Sequence, residues 1–339
     1  MMGNVLITGG AGFIGFHLAQ KLVDKGYRVV IADNFTRGSL DAELSEFMEK
    51  PNVVLMDLDL RDSRNLDSIP SNFEYVVHLA AIIGVRNVVE RPYEVLVENT
   101  RMLENVIKLC RQQKSFSRLL FASTSEVYAG TLRYFDLEVP TPEHSPLTVE
   151  NLDNPRTSYM LSKILGEAMC RNSDVPFTVF RPHNIYGPRM GMAHVIPEKL
   201  MQIWKACSGG EIEVASPEHT RTFCFIDDAT EMLLRIIEND ETSGETVNIG
   251  ADSPEVTITD VVRLCLKVTG KALTLIPGSD TPGSPRRRAP EIATARRLLD
   301  FGPVVSLEEG IGKTWEWYRD VFSQAQNTGE INDLRRNRT

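Results

Sequence analysis

The chain has 339 residues, of which 42% are hydrophobic and 24% charged, a composition that predicts a globular protein of one large or two moderate domains. Its formal net charge of -9 argues against general affinity for nucleic acid, and no apolar stretch approaches the roughly 20 residues of a membrane-spanning helix. The N-terminus lacks a basic leader and the five cysteines form no C-x-x-C pair, so we expect no signal peptide and a cytoplasmic protein with reduced thiols.

The first half of the chain alternates short apolar runs with amphipathic helical segments, which predicts a parallel sheet covered by helices on both faces. Strands are expected at NVLITG (4–9), YRVVIADN (27–34), NVVLMDLDL (52–60), YVVHLAA (75–81), RLLFAST (118–124) and VPFTVFRPHNIYG (175–187). Helices are expected at FIGFHLAQKLVDKG (13–26), with Gly26 as its C-cap, and at VLVENTRMLENVIKLCRQ (95–112).

Beyond about residue 185 this alternation fails, which predicts a smaller, irregular domain over the sheet. VIPEKLMQIWKAC (195–207) and EEGIGKTWEWYRDVF (308–322) have the pattern of helices, and TVNIG (246–250) and EVTITD (255–260) that of short strands. We therefore predict an α/β protein with a Rossmann doubly wound parallel sheet and a smaller, irregular C-terminal substrate domain. The polar residues 323–339 are expected to be a disordered or loosely docked tail.

A glycine-rich segment, TGGAGFIG, lies between the first strand and the first helix. Gly9, Gly12 and Gly15 would let a pyrophosphate approach the backbone at the N-terminus of the helix, where N–H donors favour negative charge. Asp33 ends the second strand, where a carboxylate can accept hydrogen bonds from ribose hydroxyls and repel a 2′-phosphate. These features predict NAD rather than NADP, and Arg37 is the one nearby residue that could weaken this preference.

A second motif, TSYMLSK, places Tyr159 and Lys163 on one face of a helix. A nearby ammonium stabilises a tyrosinate, so such a pair can supply a general base near neutral pH. The pair follows a strand, LLFASTSEVYAG, that ends in the polar group Ser123 to Glu126. We expect both groups to lie in one catalytic site.

The combined pattern resembles the extended short-chain dehydrogenase/reductase family, specifically its nucleotide-sugar epimerases, dehydratases and decarboxylases. The resemblance covers nearly the whole chain and rests on the motifs TGGAGFIG, ADNF, DLRD, HLAA, STSEVY, YMLSK, FRPHNIYGPR and RTFCFIDD. It implies that residues 1–185, with later segments returning to them, bind NAD, and that 186–322 mainly bind a nucleotide sugar. It also implies a homodimer, because related enzymes pair two long helices of each subunit. We expect no nucleic-acid or membrane partner.

The resemblance also implies roles for individual residues. Thr124 would hydrogen-bond the 4-hydroxyl of the sugar, Tyr159 would remove its proton, and Lys163 would hold the nicotinamide ribose and lower the pKa of the tyrosine. The residues expected to contact NAD are Gly9, Gly12, Phe13, Ile14, Gly15, Asp33, Asn34, Asp59, Leu60, Leu79, Ala80, Ala81, Asn99, Ser123, Tyr159 and Lys163. Those expected to contact the nucleotide sugar are Ser125, Arg156, Asn184, Arg189, Arg221 and Arg288.

Glu126 bears on which reaction follows oxidation at C4 of the sugar. Thr-Ser-Glu resembles the pattern of UDP-glucuronate decarboxylases, which also share Pro155, Arg156 and the segment GPRM, whereas 4,6-dehydratases have Asp-Glu and simple 4-epimerases have no acid here. GDP-mannose dehydratases share Thr-Ser-Glu, but they have an arginine near the end of strand two. We predict a UDP-glucuronate decarboxylase with Glu126 as a catalytic residue, and Arg288 in PRRRAP as the ligand of a diphosphate or carboxylate.

Two departures from the decarboxylase pattern keep a 4-epimerase as the alternative. Ala129 replaces the usual glycine after VY, and the segment RPHNIYGPRMGMAHVIPE lacks a longer insertion. A dehydratase and a non-catalytic NAD-binding scaffold are the remaining interpretations, and the retained Thr124, Tyr159 and Lys163 argue against the scaffold.

The histidines and cysteines match no metal-ligand spacing, so no metal is expected. We expect His78 to pack beside the dinucleotide and His183 to form a wall of the site, rather than to act in catalysis.

Overall fold

The structure is a computed structural model that describes residues 2–281 and 283–328. Its strands are β1 (Asn4–Thr8), β2 (Arg28–Asp33), β3 (Val53–Asp57), β4 (Tyr75–His78), β5 (Arg118–Ala122), β6 (Phe177–Pro182), β7 (Ile185–Tyr186), β8 (Glu211–Val214), β9 (Thr220–Arg221), β10 (Cys224–Phe225), β11 (Thr246–Ile249), β12 (Val256–Thr257), β13 (Thr274–Pro277) and β14 (Arg287–Arg288). Its helices are α1 (Phe13–Asp24), α2 (Ala42–Phe47), α3 (Val85–Glu90), α4 (Pro92–Arg111), α5 (Ala129–Tyr134), α6 (Thr157–Asn172), α7 (Val195–Lys205), α8 (Ile226–Glu238), α9 (Ile258–Thr269), α10 (Ala293–Leu299) and α11 (Leu307–Thr328).

The main sheet within the described residues is a seven-stranded parallel sheet with the order β11-β6-β5-β4-β1-β2-β3. This arrangement confirms the predicted doubly wound Rossmann fold. All six strands predicted in the first half take part. The segment TVNIG, expected as a short strand of the second part, returns to the sheet as β11, with Val247 beside Phe180 of β6.

Helices cover both faces of the sheet, as the continuous apolar strands require. In β5, Leu120 points to the side that α1 and α8 cover, whereas Leu119 and Phe121 point to the side of α4 and α6. All three side chains are buried. Their alternation is the two-residue period of a strand, and it fixes which polar residues reach the edge of the sheet.

The sequence EVTITD forms less strand than predicted. Only Val256 and Thr257 pair as β12, and α9 begins at Ile258. The Thr257 hydroxyl accepts a hydrogen bond from the backbone N–H of Asp260, and the Asp260 carboxylate accepts one from the N–H of Thr257. This reciprocal capping box starts a helix where the β-branched composition favoured a strand.

The terminal helix is longer than predicted. It continues past Phe322 to Thr328, because Phe322 and Ala325 lie three residues apart on one helical face and are both buried. The rest of the predicted polar tail, residues 329–339, lies outside the described residues. None of the described helices is long and apolar enough to cross a bilayer.

Candidate active site

A large cavity of about 1100 Å³ opens at the carboxyl edge of the main sheet. It begins where the strand order reverses between β1 and β4, the position at which open α/β sheets bind their ligands. From there it extends to the loops before α7 and around β14. Every residue predicted for the site lines this cavity except Asn99.

The glycine turn forms one end of the cavity. Gly9 has φ +71°, and a Cβ atom there would lie 2.7 Å from the backbone nitrogen of Ala80. A Cβ at Gly15 would lie 2.6 Å from the Gly9 oxygen. The turn therefore requires glycine at both positions, and Gly12, which precedes α1, leaves the helix N-terminus without a side-chain cap. This backbone suits a pyrophosphate.

Asp33 is held at the end of β2 by two backbone donors. The N–H groups of Ala11 and Phe35 donate to its carboxylate at 3.0 and 2.9 Å. Burial raises the pKa of the Asp33 carboxyl, while these hydrogen bonds act to lower it. Asp33 lines the cavity, where a carboxylate can accept hydrogen bonds from the two hydroxyls of an adenosine ribose.

The remaining residues predicted to contact the dinucleotide form the walls beside the turn. Those that line the cavity are Phe13, Ile14, Asn34, Asp59, Leu60, Leu79, Ala80, Ala81 and Ser123. Asn99 lies behind this wall, where its side-chain amide exchanges hydrogen bonds with the backbone of Ile82 at 2.7 and 3.1 Å. Asn99 thus holds the segment after β4 in position.

Tyr159 and Lys163 lie on α6, as their spacing predicted, and both line the cavity. The Lys163 ammonium donates to the Ala122 carbonyl at 2.8 Å and lies 5.8 Å from the centre of the Tyr159 ring. Burial lowers the pKa of Lys163 to about 8. Burial also raises the pKa of Tyr159; the Arg37 charge and a hydrogen bond with Thr124 act in the opposite direction.

Glu126 follows β5 in a short 3-10 turn, Ser125–Tyr128, which the Thr124 hydroxyl caps by accepting from the Glu126 N–H at 3.3 Å. Its side chain is exposed to the cavity. No hydrogen bond or ion pair reaches its carboxylate from residues 2–281 or 283–328. Its charge nevertheless raises the pKa of Tyr159 and partly offsets the burial that lowers the pKa of Arg288. Glu126, Tyr159 and Arg288 all line the cavity, and the Glu126 charge acts on both of the other groups.

Arg288 and Asn184 form a pair in the cavity wall. An Nη2 of Arg288 donates to the Asn184 side-chain oxygen at 3.0 Å, and the Asn184 amide donates to the Thr222 carbonyl at 2.9 Å. The Nε of Arg288 is buried without a hydrogen-bond partner in the described part of the chain. This guanidinium is oriented by Asn184 and keeps donors for an anion.

The other predicted arginines are placed differently. Arg221 is buried and donates to the carbonyls of Thr220 and Pro285 and to the Ser284 hydroxyl, so its guanidinium holds the loop before β14. Arg156 is exposed at the start of α6. Arg189 is buried and forms ion pairs with two carboxylates, those of Asp41 just before α2 and Glu43 in its first turn.

The two histidines are buried beside the site. His78 shares a 2.8 Å hydrogen bond with Thr8 and stacks on Phe121, and burial lowers its pKa to about 3. His183 shares a 3.1 Å hydrogen bond with the Asn248 side chain, and its pKa is likewise lowered to about 3. Both are therefore neutral near pH 7. No group of three or more His, Cys, Asp or Glu residues in the described ranges could hold a metal ion.

Two basic residues of the reaction region were not predicted for it. Arg37 lies close enough to Tyr159 for its charge to lower the tyrosine pKa. His194 precedes α7 and is near both Arg37 and Arg288, and burial with these two charges lowers its pKa to about 4. Only the position of Arg37 shortly after Asp33 could have suggested a site residue, and no motif marks His194.

Comparisons with known proteins agree with this geometry. Residues 5–250 match the model of the NAD dependent epimerase/dehydratase family. The chain is 30% identical to the UDP-N-acetyl-alpha-D-glucosaminuronate decarboxylase of Bacillus cytotoxicus, across 95% of this chain and 99% of that protein. It is 32% identical to UDP-glucuronic acid decarboxylase 1 of Xenopus tropicalis, across 96% of this chain and 74% of that protein.

A solved structure with a similar fold is the UDP-glucuronic acid 4-epimerase of Bacillus cereus in complex with UDP-glucuronic acid and NAD. The TM-score is 0.77 and the sequence identity 25%, across 94% of this chain and 99% of that one. The likeness in fold therefore extends over nearly the whole of both chains.

Proposed function

This chain belongs to the NAD-dependent epimerase/dehydratase family, and from that membership we propose that it oxidises C4 of UDP-glucuronate and then removes the C6 carboxylate as carbon dioxide. NAD is its cofactor, and a nucleotide sugar is its class of substrate. The glycine turn and the Asp33 carboxylate fit NAD. Decarboxylation is chosen because Glu126, Arg288 and Tyr159 line one cavity, where the Glu126 charge acts on both of the others.

The chemistry follows from these side chains. When bound, NAD supplies the acceptor and later the donor of the hydride at C4. Tyr159 takes the proton of the 4-hydroxyl, with Thr124 as its hydrogen-bond partner, which leaves a 4-keto sugar. The C6 carboxylate is then beta to a ketone. The C5–C6 bond breaks, carbon dioxide leaves, and the electron pair remains as an enolate that must be protonated at C5.

We assign the delivery of the C5 proton to Glu126, which would take up a proton from solvent in the cavity before it passes one to C5, and the orientation of the C6 carboxylate to Arg288. Arg288 suits this task because Asn184 orients it and guanidinium binds carboxylate bidentately. Two curated relatives that match nearly the whole chain are named as decarboxylases of UDP-linked uronic acids. Their names give different sugars, so UDP-N-acetylglucosaminuronate should be tested as a substrate beside UDP-glucuronate.

The alternative is a 4-epimerase, in which hydride returns to the other face of C4 and the carboxylate stays. It is favoured by the missing insertion after Tyr186 and by the similar structure of a UDP-glucuronic acid 4-epimerase. Incubation of the purified protein with NAD and UDP-glucuronate, followed by NMR, tests the proposal. We expect the C4 proton of the product to couple to the two C5 protons of a pentose ring. A hexuronic acid epimerised at C4 would overturn decarboxylation.

The negative charge of Asp33 would repel the 2′-phosphate of NADP, so we expect NAD to bind at least about tenfold more tightly than NADP. Asp33→Asn keeps the shape of the side chain and removes its charge, so it should reduce the ratio of the two affinities. Calorimetric titration of both cofactors measures it. Equal affinities for the unmodified protein would contradict the role of Asp33.

We further propose the division of the chain and its assembly. Residues up to 185, together with β11, would bind NAD, and residues 186–322 would bind most of the nucleotide sugar. Two copies would associate through α4 and α6, the long helices that related enzymes pair; Leu165 of α6 is 40% exposed. Sedimentation velocity gives the oligomeric state.

A further inference from the structure

The loop that follows β2 lines the cofactor side of the cavity. Residues 34–41, here called the cover loop, run from the end of Asp33 to the start of α2, and Thr36, Arg37 and Ser39 line the cavity. At Gly38 the loop packs so closely on the glycine turn that a Cβ atom would lie 2.8 Å from Cβ of Ala11. Any opening of the cofactor cleft on this side must therefore displace the cover loop.

Arg189 holds the far end of this loop from a distant part of the chain. Its Nη1 is 2.6 Å from both carboxylate oxygens of Asp41 and 3.2 Å from Glu43. Its guanidinium also stacks over the ring of Phe16 on α1, with Cζ 4.0 Å from the ring centre. The side chain of Trp317 on α11 donates to Glu43 as well. The cover loop is thus tied to residues from the C-terminal half of the chain.

The surroundings of Arg189 are those of a constrained, buried ion pair. The residue is 8% exposed, and its backbone has φ +64°, a left-handed conformation that is rare for a side chain of this size. Such a conformation persists only where surrounding contacts enforce it. Asp41 also caps α2 by accepting a hydrogen bond from the Leu44 N–H at 3.0 Å. The ion pair therefore joins the start of α2 to the segment that contains Arg189.

We propose that Arg189 is a positioning residue for NAD, which clamps the cover loop against the glycine turn through Asp41 and Glu43. This role differs from the contact with nucleotide sugar that the sequence predicts for Arg189. Without the guanidinium, two carboxylates would face each other at the base of the loop, and their repulsion would favour an open loop. Because only the closed form completes the cofactor cleft, the apparent affinity for NAD falls with the closed fraction.

The test is calorimetric titration of NAD into the full-length protein freed of cofactor. For Arg189→Met we expect the dissociation constant of NAD to rise about tenfold, with Arg189→Lys between this variant and the unmodified protein. Arg235→Met is the matched control. Arg235 also combines an ion pair, with Glu231, and a ring contact, with Phe301, but it lies away from the cavity. It should lower the melting temperature and leave the affinity for NAD within about twofold.

A second variant keeps the proposal falsifiable should Arg189→Met fail to fold. Asp41→Asn preserves the helix cap, since asparagine caps as well as aspartate, and removes the charge that Arg189 binds. It should also weaken NAD binding severalfold. If it is combined with Arg189→Met, the loss should be smaller than the product of the two single effects. Unchanged NAD affinity in the variants that fold, whatever their melting temperatures, would overturn the clamp.

Discussion

Tyr159→Phe should reduce turnover of the nucleotide sugar by about 100- to 10,000-fold, the usual cost of losing a general base. The substitution removes only the phenolic oxygen from a side chain that is 6% exposed, so the packing of the ring against Val88 and Val95 is retained. Melting temperature and NAD affinity should therefore stay close to those of the unmodified protein. Product formation measured by NMR gives the rate, and calorimetry gives the affinity.

The pH dependence of the turnover rate should also change in Tyr159→Phe. Burial and the Glu126 charge raise the pKa of Tyr159, so the phenol is largely protonated near pH 7 without its ligands, and the tyrosinate fraction increases as pH rises. A rate limited by this base should rise with pH. The rise should be absent in Tyr159→Phe. Tyr27→Phe, which removes the hydroxyl of a buried tyrosine just before β2, away from the cavity, is the control and should retain both rate and pH profile.

Retained activity in Tyr159→Phe would remove the tyrosine from the mechanism. Loss of both activity and NAD binding would instead point to a misfolded cleft, which the melting temperature reveals. The prediction therefore needs all three measurements on one preparation.

The sequence was sufficient to predict features set by local pattern. The apolar runs predicted the strands, because strands covered by helices on both faces are apolar at consecutive positions. The glycine spacing predicted the turn, and the structure shows why Gly9 and Gly15 are needed there, since neither position has room for a Cβ atom. The four-residue spacing of Tyr159 and Lys163 predicted that they share one face of a helix.

Features that depend on distant partners could not be predicted this way. Arg221 and Arg189 read as anion ligands, yet Arg221 binds backbone carbonyls and Arg189 binds carboxylates from a loop far away in the sequence. Asn99 was assigned to the dinucleotide, but it supports the segment at Ile82 from behind. A buried polar side chain must hydrogen-bond its donors to nearby acceptors, and the tertiary fold determines which acceptors are nearby.

The geometry of Glu126 explains why a carboxylate stands where the buried strand β5 ends. The strand itself is fully buried, and Thr124 caps the following turn, so the first exposed side chain is delivered into the cavity. A carboxylate without a role in the site would be better hydrated on the outer surface of the protein. Here its charge bears on Tyr159, where it makes tyrosinate harder to form. Such an unfavourable placement suggests a task in a later step.

Glu126→Gln should slow formation of the decarboxylated product by about 100-fold or more while leaving the first oxidation fast, because glutamine keeps the size and polarity of the side chain but cannot deliver the proton to C5. Removing the negative charge should also lower the pKa of Tyr159, so the pH profile of the oxidation step should move to lower pH. In a single turnover with UDP-glucuronate, absorbance near the reduced nicotinamide band should build up as product formation lags. Glu150→Gln, which removes a carboxylate elsewhere on the cavity wall, is the control and should show neither effect. Conversion of UDP-glucuronate by Glu126→Gln at the unmodified rate would make Glu126 structural and favour the 4-epimerase.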